Sequence, residues 1–137
     1  MTDGTEQAAA ELHETAKVIL IVEDDQGIGE FLVRAILQET PYHPTWVTDG
    51  FAALKLIHDL KPDLLILDYQ LPHMNGIQLY DQVRTTKGFE AIPAILMTAG
   101  GGMPWSHIEK RQLVGIAKPL ELSVFLATIE KLLRQEG

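Results

Sequence analysis

The feature that most constrains this chain is a pair of short runs without a polar residue, Val18-Ile19-Leu20-Ile21-Val22 and Leu64-Leu65-Ile66-Leu67. Neither alternates, so neither suits a strand with one wet face. A strand that is apolar on both sides must be covered on both sides. Both runs are too short to cross a membrane. Helical spacing surrounds them: Ile28, Phe31, Leu32, Ala35 and Ile36; Phe51, Leu54, Ile57 and Leu60, stopped by Pro62; then Ile77, Leu79, Tyr80 and Val83. A last amphipathic stretch carries Leu122, Phe125, Leu126, Ile129, Leu132 and Leu133. Pro44 to Val47, Pro93 to Met97 and Val114 to Ala117 read as further strands, and Pro104 as the first residue of a short fourth helix. Five strands alternating with five helices predict an α/β fold, a doubly wound five-stranded parallel sheet.

Composition narrows the function classes. A chain of 137 residues suits one domain, and the absence of cysteine excludes disulfides, a thiol nucleophile and thiolate-bound metal. A net charge of −8 argues against direct nucleic-acid binding, which needs a basic stripe. Residues 1–16 are small, polar and acidic, without the basic start and apolar centre of a secretory signal. They are expected to form a flexible extension before one domain at 17–135. The protein is expected to be soluble and cytoplasmic, with no membrane partner.

In a doubly wound sheet the ligand site lies beyond the carboxyl ends of the strands, where the strand order reverses. Glu23, Asp24 and Asp25 follow the first strand, Asp68 the third, Thr98 the fourth, and Lys118 with Pro119 the fifth. Crowded carboxylates repel one another, and a divalent cation removes the conflict. Hard oxygen ligands without nearby His or Cys suit Mg²⁺, or Mn²⁺, rather than Zn²⁺. His13, His43, His58, His73 and His107 show no ligand spacing. A carboxylate can act as nucleophile toward phosphorus, and an ammonium and a hydroxyl can bind the transferring oxygens.

Four segments together resemble the receiver domains of response regulators. They are Ile19 to Asp25, Leu64 to Gly76 (with Leu71-Pro72 and Met74-Asn75-Gly76), Ile95 to Ala99, and Ala117-Lys118-Pro119. The likeness runs over about residues 17–135. It implies a flavodoxin-like strand order, 2-1-3-4-5, and a phosphorylation-dependent switch rather than an enzyme with a substrate of its own. By position, Asp68 is the phosphoacceptor, and Glu23 and Asp24 hold the metal, Asp24 directly and Glu23 through water. Gln70 offers a backbone carbonyl to the metal, and Thr98 and Lys118 bind phosphoryl oxygens. Asp25 falls one place past the acidic pair and reads as a helix N-cap or a solvated acid. The resemblance also implies a cis Lys118-Pro119 bond. The implied donor is a sensor histidine kinase or a phosphotransfer protein. Output would pass to an unidentified protein or a second copy through helix four, strand five and helix five, an output domain being either absent or removed.

This chain departs from the family pattern at Gly115, where an aromatic residue usually stands three places before the lysine. Trp105 and Phe125 are the aromatic candidates to replace it, and Trp105 is read as partial core. Ala99-Gly100-Gly101-Gly102 reads either as a mobile loop closing over the phosphoryl group or as a trimmed turn. Two rival readings follow: a degenerate receiver acting as a constitutive interaction module, and an aspartate-nucleophile phosphatase. The second lacks its usual acid two places after the nucleophile, where Gln70 stands.

Overall fold

The two apolar runs lie side by side at the centre of one sheet. Strand β1 (Val18–Val22) pairs in parallel with β3 (Leu64–Asp68), with Ile21 opposite Ile66. In the computed structural model, which describes residues 16–99 and 101–134, β2 (His43–Val47) flanks β1. On the other side β4 (Ala94–Ala99) and β5 (Val114–Lys118) extend the sheet, giving the order β2-β1-β3-β4-β5, all parallel. The expected extension at residues 1–16 lies outside the described residues except for Ala16, and so does Gly100.

The period-two geometry of a strand sends alternate residues to opposite faces. Leu20, Val22, Leu65, Leu67 and Leu96 pack with residues of α2 (Gly50–Leu60), α3 (Gly76–Arg84) and α4 (Trp105–Arg111). Ile19, Ile21, Leu64, Ile66 and Met97 pack on the other face against α1 (Gln26–Glu39) and α5 (Leu122–Arg134), through Leu32, Ile36, Phe125 and Ile129. Each fully buried Leu or Ile contributes about 1.5–3 kcal/mol relative to exposure. Two such layers explain why β1 carries no polar residue and β3 none before Asp68 at its end. β2 and β5 have a neighbour on one side only; β2 is half-buried along its length, and β5 is half-buried except at the exposed Ala117.

Local signals set the helix ends. Asp25 caps α1 by accepting from the Ile28 N–H at 2.9 Å, as its position suggested. Asp49 caps α2, which ends at Lys61 in a left-handed conformation (φ 54°) directly before Pro62. Asn75 and Gln78 form a reciprocal capping box on α3. Pro104 stands one place earlier than expected, at the N-cap of α4, where it makes no side-chain cap. The Lys118-Pro119 bond is cis. Among the described residues no helix is long and apolar enough to cross a membrane.

Candidate functional site

Parallel pairing brings the carboxyl ends of β1, β3, β4 and β5 to one edge. Glu23 follows β1 directly, and its N–H donates to the Val47 carbonyl at 3.1 Å, carrying the backbone ladder one residue past the strand. Asp68 closes β3, and the Tyr69 N–H continues the ladder to the Met97 carbonyl. The turn after it returns at once, since the Gly76 N–H bonds the Tyr69 carbonyl at 2.9 Å. A Cβ on Gly76 would lie 2.6 Å from the Asp68 carbonyl oxygen, so only glycine lets α3 start this close beneath Asp68.

These placements gather the predicted acids. Glu23, Asp24 and Asp68 each offer a carboxylate oxygen, and the three oxygens lie within 4.8 Å of one another. Asp24 is exposed and forms the rim, Glu23 is fully buried, and the Asp68 side chain keeps 7% of its surface at the floor. Lys118 reaches in from β5, with its Nζ 2.8 Å from Glu23 Oε1 and 3.3 Å from Asp68 Oδ1. The second Glu23 oxygen accepts from the Asp25 N–H at 3.1 Å. Gln70 is exposed, and its N–H donates to Asp68 Oδ1 at 3.3 Å.

The electrostatics follow from this crowding. Burial first, and then the Glu23 carboxylate, push the Asp68 carboxyl up from 3.8 to about 7 against the pull of Lys118. Burial works against the Lys118 ammonium, but Glu23 and Asp68 override it and hold its pKa above the usual lysine value. One cation among three acids leaves negative charge uncompensated. The donor set, all carboxylate oxygen with an exposed Asp24 open to solvent, fits a hard divalent cation such as Mg²⁺.

Thr98 closes the arrangement. It lies on β4 one residue beyond Met97, the partner of Asp68, and beside Ala117, which precedes Lys118. Its residue is fully buried, and its Oγ1 has no hydrogen-bond partner among the described residues. A buried hydroxyl left unsatisfied costs about 1–3 kcal/mol.

The aromatic question also has a structural answer. Phe125 is fully buried in the α1–α5 layer, on the face opposite α4, and cannot occupy the space at Gly115. A Cβ on Gly115 would meet Ile108 Cδ1 at 2.9 Å, Met103 Sδ at 3.0 Å and Trp105 Cζ3 at 3.2 Å. The space beside β5 is thus filled from α4 and the segment before it. Trp105 itself is 55% exposed, not the partial core residue expected, because one ring edge covers Gly115 while the rest faces solvent.

Two contacts were not legible from the sequence. Lys118 is bound most closely to Glu23, and the indole Nε1–H of Trp46 donates to the Glu23 carbonyl at 2.8 Å. No periodicity or motif marks the second.

Comparison with known proteins places this site in a family. Residues 19–130 match the response regulator receiver domain. Sporulation initiation phosphotransferase F of Bacillus subtilis strain 168 is 30% identical over 117 residues, covering 84% of this chain and 92% of that protein. The DNA-binding response regulator MtrA of Mycolicibacterium paratuberculosis is 36% identical over 81 residues, 59% of this chain, and the match spans only 34% of MtrA. Among solved structures, the receiver domain of a signal transduction histidine kinase from Syntrophus aciditrophicus superimposes with a TM-score of 0.77 at 30% identity, covering 88% of this chain and 92% of that one. The non-phosphorylated HemR receiver domain of Leptospira biflexa gives 0.75 at 29% identity, with coverage of 85% and 94%. The acidic cup at the edge of a 2-1-3-4-5 sheet and these matches lead to one conclusion: the chain belongs to the response regulator receiver family, the phosphorylation-based signalling domains of two-component systems.

Proposed function

We propose that this chain is a divalent-cation-dependent switch that accepts a phosphoryl group on Asp68 and signals through protein contacts. The observation that carries the reading is the convergence of Glu23, Asp24 and Asp68 within 4.8 Å, with the Lys118 ammonium 3.3 Å from Asp68. An Asp68 carboxylate oxygen attacks phosphorus in a phosphohistidine of a sensor kinase or phosphotransfer protein. The new P–O bond forms as the P–N bond breaks, and the electron pair leaves with the imidazole nitrogen, which takes up a proton. Lys118 Nζ and the orphan Thr98 hydroxyl donate to the phosphoryl oxygens. Glu23, Asp24, Asp68 and the backbone carbonyl of Gln70 would hold Mg²⁺, or Mn²⁺, which supplies neutralising charge at the carboxylates and the phosphoryl group.

The phosphoacceptor role fits the name of the Bacillus subtilis relative, a phosphotransferase. Gln70, where an aspartate-nucleophile phosphatase would place a second acid, weighs against an enzyme with its own turnover. The receiver domain is assigned to residues 17–135, after an extension at 1–16. The reading sets the protein in the cytoplasm, where ATP-derived phosphoryl groups are made. Output runs through α4, β5 and α5 to a partner protein or a second copy, without direct nucleic-acid contact. On that surface Trp105 is exposed, and Arg111 ties α4 to Asp81 of α3 in a two-pronged ion pair.

Gly115 favours one rival, a constitutive interaction module that does not switch. Beryllofluoride with Mg²⁺ separates the two. A switch shows amide shifts at Asp68 and Thr98 that spread to the α4 segment. A module shows none, and the proposal then fails.

A further inference from the structure

The acidic pair is held from below by a side chain with no place in the chemistry so far. Glu23 lies past the end of β1, where the sheet ladder stops supplying partners for its carbonyl. The Trp46 indole N–H fills that gap at 2.8 Å from β2, while the Glu23 N–H is bound to Val47, the next residue of the same strand. Both backbone groups of Glu23 are therefore fixed by β2. The indole is itself wedged against α1: a Cβ on Gly29 would fall 2.1 Å from the ring, so the helix capped by Asp25 packs directly on the tryptophan. Trp46 thus touches both arms of the turn that presents Glu23 and Asp24.

We propose that Trp46 is a positioning residue for divalent-cation binding, setting the β1–α1 turn so that the Glu23 and Asp24 carboxylates stay at coordination spacing from Asp68. The inference rests on the reading of the acidic cup as a cation site. Groups that orient ligating residues commonly change metal affinity by about 10–100-fold when removed. Trp46 acts through the backbone of one ligand, so the low end applies.

The test is Trp46→Phe, which keeps an aromatic ring and removes the N–H. Mg²⁺ is titrated into the unphosphorylated protein, followed by amide shifts of Asp24 and Asp25, and the melting temperature is measured without metal. The expected result is a Kd for Mg²⁺ raised about tenfold in a folded variant. In acetyl phosphate labelling, the half-saturating Mg²⁺ concentration rises in parallel, and the rate at saturating Mg²⁺ returns to wild type. A folded variant with the wild-type Kd overturns the inference, even if its melting temperature falls, since that is all a merely structural role would give. If Trp46→Phe does not fold, the wild-type indole N–H decides, with Trp105→Phe used to assign it. A shift that saturates with the Asp24 amide supports positioning, and an indole unmoved at saturation overturns it. Should wild type bind no Mg²⁺ at all, the reading of the cup fails, not the role of Trp46 alone.

Discussion

Asp68→Asn should make the metal-free protein more stable, although it removes the residue on which function rests. The wild-type carboxyl is pushed from 3.8 to about 7, first by burial and then by Glu23. A tenfold change in proton affinity is worth about 1.4 kcal/mol, so an ionised Asp68 carries an upper bound of about 4 kcal/mol of unfavourable energy. Solvent entering past the exposed Asp24 screens part of this, leaving roughly 1–3 kcal/mol, or several degrees in Tm for a domain of this size. The pH dependence has a definite sign. Between pH 3.8 and about 7 the folded state holds the proton that the unfolded state has lost, so wild-type stability falls as pH rises through that window and levels off above it. The asparagine has no such proton. The advantage of the variant should therefore be small near pH 4, grow to about pH 7 and then stay constant. Thermal unfolding of both proteins in chelator across that range measures it, and saturating Mg²⁺ should shrink the difference. A variant equal to or less stable than wild type at pH 8, or an advantage that ignores pH, would refute the electrostatic argument.

Three further outcomes are expected. Thr98→Val removes a buried hydroxyl without a partner among the described residues, so stability of the unmodified protein should hold or rise by up to about 1 kcal/mol, while labelling by acetyl phosphate slows; a clear loss of stability in urea would show that the hydroxyl is already satisfied. Lys118→Met leaves Glu23 and Asp68 facing each other without their shared cation, and should cost about 3–5 kcal/mol in chelator, partly recovered by Mg²⁺; denaturant midpoints with and without metal check both halves. Gly115→Tyr forces a ring into space held by Met103, Trp105 and Ile108, and should cost about 1–3 kcal/mol and shift Trp105 emission to the red in a Trp46→Phe background. An unchanged emission spectrum would mean that α4 does not cover Gly115.

Much of the architecture was legible because the central strands have no freedom in composition. β1 and β3 are buried on both faces, and an unbroken apolar run is what that environment demands. β2 gave a weaker signal for the same reason, since it has one neighbour and stays half-buried. The acids and Lys118 could be placed by rule, because strand ends in a doubly wound sheet converge whatever lies between them. What escaped were contacts set by side-chain direction across elements. Trp46 reaching the Glu23 carbonyl and resting on Gly29 depends on the packing of α1 over β2, which leaves no period in the sequence. Trp105 was misjudged because the sequence does not show that only one edge of its ring meets Gly115, which leaves the residue 55% exposed.

The most direct test of the central claim is the intact mass of the protein after treatment with a small phosphodonor, with Mg²⁺ and with chelator, for wild type and Asp68→Asn. The account predicts a single phosphoryl group on wild type with Mg²⁺, and none with chelator or on the variant. Equal labelling of both proteins, or no labelling of a folded wild type with Mg²⁺ present, would contradict it.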